Sequence, residues 1–197
     1  LTGELMTSAT ITDRLVALSR ALIGRIRGGL AQVNVLVSMF FAGMNGSVVA
    51  DTATVGALVL PAMKKAGYPA AFSAAVTGVS STIGGIIPPS IMMIVLANAT
   101  EISIAALFAA GIVPGILIGV VIMVINHYFA VKYNFERSDQ PFSVRRAGKE
   151  LYRSSFALLI PLVLVGSVMG GVASVVEAGA ITALVALFTG VFVYRTI

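Results

Sequence analysis

The chain has 197 residues, of which 58% are hydrophobic and only 11% charged, with a net charge of +5. Soluble domains carry about 25% charged residues, so a water-soluble fold is excluded: it has no way to hide this much apolar surface, and the mean hydropathy of +1.01 says the same. The basic excess is not a nucleic-acid footprint, because the basic residues end apolar runs instead of interleaving with aromatics, and a chain without cysteine has neither disulfides nor thiolate chemistry.

The chain opens at Leu1 with no basic leader and no short apolar core, which is unlike a cleavable signal peptide and reads as a piece with sequence missing upstream. From Ile11 to Arg27 the apolar positions Ile11, Leu15, Leu18, Leu22 and Ile26 recur at helical spacing, with Asp13, Arg20 and Arg27 on the other side. Residues 1–29 therefore read as an interfacial amphipathic helix, with Arg14 and Arg25 at the edge of its apolar stripe. A soluble-facing helix of the same pattern is the alternative.

Residues 30–65 are apolar but interrupted at Gly43, Met44, Asn45, Gly46 and Ser47, which leaves two arms of about 17 residues each, short of the roughly 20 that cross a bilayer core. Two short arms and a polar tip predict a re-entrant helical hairpin, since irregular backbone is tolerated at membrane depth only beside protein or a wet cavity. Residues 68–131 hold a helix broken at Gly84, Gly85, Ile86, Ile87, Pro88 and Pro89, where prolines withdraw donors and disfavour helix before them, and then the clearest full span, Ile102 to Val131. Residues 132–153 form a polar connection, and 154–197 bring two further apolar segments, Ser155 to Gly171 and Ala178 to Tyr194.

Charge tests this topology. With a hairpin that returns to its own side, all 13 basic residues lie on one face of the membrane. The opposite loops hold only Glu101 and Glu177, so the basic face is cytoplasmic. Two full spans in place of the hairpin satisfy the same rule, and charge alone does not choose.

Two constellations carry chemistry. Asp51 lies between apolar runs, where a carboxylate costs about 2.5–3.5 kcal/mol on insertion scales and must face a cavity or a partner. Ser47, Asp51 and Thr54 share one helical face, and Asn45 with the Gly46 backbone adds oxygens at the tip. Carboxylate, hydroxyl and carbonyl oxygens suit a hard monovalent cation. The second constellation is Thr77, Ser80, Ser81 and Thr82 running into Gly84 and Gly85, then Pro88, Pro89 and Ser90: a hydroxyl stripe entering unwound backbone. The competing reading is that these hydroxyls only let helices pack closely in lipid. His127 reads as interfacial and Glu177 as solvated. No phosphate-binding loop, zinc motif, dinucleotide fingerprint or Ser/His/Asp set is present, so neither ATP-driven transport nor an enzyme is expected.

The stretch Phe40 to Tyr68 (FFAGMNGSVVADTATVGALVLPAMKKAGY), followed by Ser80 to Ile91 (SSTIGGIIPPSI) and Ala106 to Gly115 (ALFAAGIVPG), closely resembles the large membrane subunit of tripartite ATP-independent periplasmic (TRAP) transporters. The likeness runs through most of Leu1 to Phe135. It departs at Asn45-Gly46-Ser47, where the family has Ser-Gly-Ser, at Gly84-Gly85, where it has Gly-Pro, and at Val175-Val176-Glu177-Ala178, where it has Pro-Thr-Glu-Ala. The resemblance implies an all-α integral membrane protein of the bacterial inner membrane. It also implies an elevator-type transporter of inverted repeats, of which this chain is the first half and the start of the second. Sodium-coupled uptake of an organic acid is implied too, with a small four-helix membrane subunit and a periplasmic substrate-binding protein as partners. Carried over, it assigns the sodium site to Asn45, Gly46, Ser47, Asp51, Ser80, Thr82, Gly84 and Gly85, and substrate contacts to Ser81, Pro88, Pro89 and Ser90; no other cofactor is expected. Proton coupling through Asp51 and a non-transporting structural subunit are the alternatives.

Overall fold

The computed structural model describes residues 11–23, 26–135, 143–189 and 191. Every regular element among them is helical: α1 (Ile11–Ile23), α2 (Gly29–Asn45), α3 (Val48–Lys65), α4 (Ala70–Ser81) with a 3-10 turn (Thr82–Gly85), α5 (Ile91–Thr100), α6 (Ile104–Lys132), α7 (Val144–Arg153), α8 (Ser155–Met169) and α9 (Val175–Phe188).

α2 is the axis of the fold. Apolar nearly all round, it has no face for water and packs against α1, α3, α4, α6 and α8, burying Val33, Val35, Val37 and Phe41. It stops at Gly46, whose φ of 61° is a left-handed cap with its N–H on the Ala42 carbonyl. Ser47 follows in extended backbone and starts α3 by accepting from the Ala50 N–H at 3.3 Å. Stop and start signals back to back make the two-residue turn. The arms run antiparallel, for Asn34 Nδ2 donates to Met63 Sδ at 3.7 Å across 29 residues.

α4 tightens into its 3-10 turn because Ile86 and Ile87 both direct their N–H groups to the Ile83 carbonyl and the next two residues, Pro88 and Pro89, have no N–H. Ser90 restarts the helix: its hydroxyl donates to the Gly85 carbonyl at 2.8 Å and accepts from the Met93 N–H at 3.3 Å.

α6 spans 29 residues, about 44 Å at 1.5 Å per residue, more than a bilayer core of about 30 Å. Phe108, Gly111, Gly115, Gly119, Ile122, Asn126 and Ala130 face inward, whereas Val113, Ile116, Leu117, Val120, Val121 and Val124 face outward. An outward surface that apolar suits hydrocarbon. A Cβ at Gly115 would run into the Ile87 side chain, and one at Gly119 would stand 2.5 Å from Met39 Sδ, so these glycines let the break and α2 lie against α6.

Among the described residues α6 alone is long and apolar enough to cross a membrane, or α7 with α8 as well if that pair, bent by 58°, counts as one span. Of the two apolar segments after Ser155, α8 has 15 residues and α9 has 14 among the described residues, about 22 Å each; the turn at Gly170 and Gly171 ends one and Ser174 begins the other. α1 buries Leu15 and Leu18 completely, leaves Asp13 and Arg20 outside, and exposes Leu22 by 40%. Half of its expected lipid stripe thus docks on the bundle. Arg25 lies outside the described residues.

Candidate functional site at the hairpin tip

The turn between α2 and α3 abuts the break between α4 and α5. The Ile91 N–H donates to the Gly46 carbonyl at 3.2 Å. A Cβ on Gly46 would collide with the Pro89 carbonyl oxygen, and Cβ positions built on Gly84 and Gly85 lie 3.6 Å from Ser47 backbone and 3.4 Å from the Val48 side chain. At Gly46 this is main chain against main chain, which glycine permits and other residues do not, whereas at Gly84 and Gly85 it is ordinary van der Waals contact. The Pro88 oxygen lies 3.8 Å from the Cβ position of Gly43. Among the described residues, the carbonyls of Gly84, Ile86, Ile87, Pro88 and Pro89 accept no backbone hydrogen bond.

Asp51 stands at the start of α3, fully buried, and neither carboxylate oxygen has a hydrogen-bond partner among the described residues. The hydroxyls of Ser81 on α4 and Ser38 on α2 face it without a well-formed hydrogen bond. Both are engaged elsewhere. Ser81 donates to the Thr77 carbonyl at 2.8 Å, and Ser38 pairs with Ser80 at 3.2 Å. Behind them Asn34 Nδ2 donates to Thr77 Oγ1 at 2.7 Å, and Ser80 donates to Asn34 Oδ1 at 3.4 Å. Asn45 folds back on the tip, its Oδ1 accepting the Ser47 N–H at 2.8 Å while its buried Nδ2 has no partner.

Of the residues singled out in the sequence, Asn45, Gly46, Ser47, Gly84, Gly85, Pro88, Pro89 and Ser90 meet at this junction, and Asp51, Ser80 and Ser81 lie one helical turn behind it. Thr82 stands apart: it is exposed and donates to its own helix at the Val79 carbonyl, 2.7 Å away. Ser47 spends its hydroxyl on the helix cap, and Thr54 is only half-buried. His127 is exposed, and Glu177 forms a capping box with Ser174 at the surface. Sequence reasoning passed over Asn34 and Ser38, and over Gln32, whose Nε2 donates to the Met123 carbonyl at 2.8 Å. Their signal is polar residues recurring within an otherwise apolar helix, with Asn34 and Ser38 one turn apart.

A buried, unpartnered carboxylate is a strong claim on a counter-charge. No group of three or more His, Cys, Asp or Glu side chains converges among the described residues, so the oxygen set of carboxylate, hydroxyls and carbonyls matches a hard monovalent cation better than a transition metal.

The whole sequence, residues 1–197, matches the family model described as "Tripartite ATP-independent periplasmic transporter, DctM component". It is 36% identical over 197 residues to the sialic acid TRAP transporter large permease protein SiaM of Vibrio cholerae, covering 100% of this chain and 46% of that protein. Identity is 37% over 195 residues to the C4-dicarboxylate TRAP transporter large permease protein DctM of Pseudomonas aeruginosa, covering 99% of this chain and 45% of that one. The 2,3-diketo-L-gulonate TRAP transporter large permease protein YiaN of Escherichia coli is 36% identical over 195 residues, with 99% and 46% covered. The chain thus spans less than half the length of these curated relatives.

Proposed function

The chain belongs to the DctM component family of tripartite ATP-independent periplasmic transporters, and from that premise we propose that the full-length protein is a cation-coupled permease for small organic anions in a bacterial inner membrane. It works there with a small membrane subunit and a periplasmic binding protein. The names of its relatives specify sialic acid, C4-dicarboxylate and 2,3-diketo-L-gulonate, and a small organic acid is the class they share.

The observation that carries the reading is Asp51, sealed from solvent with no hydrogen-bond partner and set one turn behind a junction of unpaired carbonyls. Sodium at the tip, held by Asn45, Ser47, Gly84 and Gly85 oxygens with Asp51 as the compensating charge, relieves that burial. The organic anion is repelled by the carboxylate in so poor a dielectric, and takes the far side of the break at Pro88, Pro89 and Ser90. Hydrogen bonds from α2 to α6 (Gln32 to Met123) and from α5 to the tip (Ile91 to Gly46) tie hairpin, broken helix and span together. That favours their moving as one body, as an elevator requires. A proton on Asp51 satisfies the same burial, so proton coupling is the second reading.

The test is uptake by the full-length protein, reconstituted with its small subunit and binding protein, of radiolabelled succinate and sialic acid under a sodium gradient and, separately, a proton gradient. Sodium-driven uptake is expected. Asp51→Asn is expected to weaken apparent sodium affinity at least about tenfold, the loss of about 1.4 kcal/mol of binding, while the complex still inserts and assembles. Uptake driven by protons alone selects the second reading, and Asp51→Asn with unaltered sodium dependence removes Asp51 from the ion site.

A further inference from the structure

The function proposed above makes no use of α7, yet α7 is the most sharply two-sided helix among the described residues. Its sequence VRRAGKELYR places Val144, Ala147, Leu151 and Tyr152 on one arc and Arg145, Lys149 and Arg153 on the next. Ala147 alone of the apolar arc is buried, where α7 packs on α1 and α8. Val144, Leu151 and Tyr152 are 76%, 51% and 83% exposed, and Arg145 and Lys149 are exposed beside them. Three large apolar side chains next to cations is not a surface for bulk water. Glu150 is the one acid on the helix, and it is taken up by Arg153 at 3.5 Å.

The surroundings say what covers this surface. At Ser154 the chain bends by 58° into α8, whose Phe156, Leu159 and Leu162 are themselves outward and apolar. The exposed apolar arc of α7 is thus followed directly in the chain by outward apolar side chains suited to hydrocarbon. The Ser154 hydroxyl donates to the Arg14 carbonyl at 3.3 Å, pinning the bend to α1. The chain leaving α1, on which α7 packs, reaches Gly28, which packs on Ala130 at the end of α6, where Lys132 lies over the rings of Tyr128 and Tyr133 at 6.0 and 5.7 Å. Aromatic rings and cations at a span end mark headgroup level on the cytoplasmic side.

We propose that α7 lies in the cytoplasmic headgroup layer and binds anionic phospholipid, with Val144, Leu151 and Tyr152 among the upper acyl carbons and Arg145 and Lys149 on the phosphates. Apolar burial keeps the helix on the surface, and the two cations choose the lipid. A protein partner on the same face would cover the apolar arc equally well but would leave no reason for a lipid-charge preference.

The experiment uses the full-length protein in its complex, with any tryptophan of the remaining half replaced, since this chain has none. Tyr152→Trp provides an indole for quenching by brominated lipid in vesicles. Brominated phosphatidylglycerol is expected to quench in preference to brominated phosphatidylcholine, with a relative association constant on the order of thirty, the factor that about 1 kcal/mol for each of the two cations supports. Arg145→Gln with Lys149→Gln is expected to bring the two lipids close to parity while quenching by both persists. An indole that no brominated lipid reaches, or equal quenching by the two lipids before the cations are removed, overturns the proposal; the first outcome means that protein covers the face.

Discussion

Asn34 shows how much one side chain organises. Its amide bonds Thr77 and Met63 and accepts from Ser80, which in turn pairs with Ser38 beside Asp51. Asn34→Leu removes these bonds, while Thr77 and Ser80 keep their own bonds to the Ser73 and Thr77 carbonyls. The loss is expected to be about 1–3 kcal/mol, read as a lower Tm of the detergent-solubilised complex. Ser73→Ala removes a hydroxyl whose hydrogen bond goes to the Pro69 carbonyl, one turn back in its own chain segment, and should move Tm far less. The sequence pointed to Asp51 because a carboxylate in an apolar run is conspicuous. It did not point to Asn34 or Ser38, because single polar residues in an apolar helix look the same whether they face a neighbour or a lipid tail. Thr82 went the other way: on an α-helix it already lies about 100° round from Ser81, and the wider step of about 120° per residue where α4 becomes a 3-10 turn carries it farther outside.

At the scale of elements, interruptions were easier to read than partners. Gly46 with Ser47, and Pro88 with Pro89, are local chemistry that stops a helix wherever it occurs. That the two interruptions meet is tertiary information, for which the glycines of α6 were the available but unread sign. Gly115→Ile puts a branched side chain where Ile87 already sits, an overpacking expected to cost about 1–3 kcal/mol and to displace the break. Uptake by the reconstituted complex should fall steeply while α6 still inserts. Gly166→Ile, where a Cβ meets nothing within 4 Å, is the matched control and should transport normally.

Over the whole molecule the ends are electrically distinct. Tyr68 and Phe72 after α3 meet Phe129 and Phe135 around the end of α6, with Tyr68 and Phe135 4.8 Å apart. Lys64, Lys65 and Lys132 therefore share one end. At the other, Phe108, Leu164, Val168 and Ala178 form a separate cluster that brings the α8 to α9 turn near the start of α6, so Glu177 and Glu101 share it. The charge asymmetry of the sequence predicts that the lysine end is cytoplasmic. Substituted singly in a cysteine-free full-length protein in intact cells, Glu101→Cys is expected to react with an impermeant maleimide, and Lys65→Cys only after permeabilisation. Labelling of both from outside would break the assignment.

The meeting of hairpin tip and broken helix has an electrical consequence of its own. α2 and α4 with its 3-10 turn arrive there by their carboxyl ends, at Asn45 and Gly85, while α3 and α5 leave by their amino ends, at Val48 and Ile91. Each end carries roughly half an elementary charge, so two positive and two negative poles surround one point. Such a quadrupole cancels at a distance and is felt only within about a helical turn, well inside the screening length of about 8 Å. The four helix ends draw nothing in from afar, so attraction at a distance is left to the Asp51 charge one turn behind them, and discrimination at contact to which pole a solute touches.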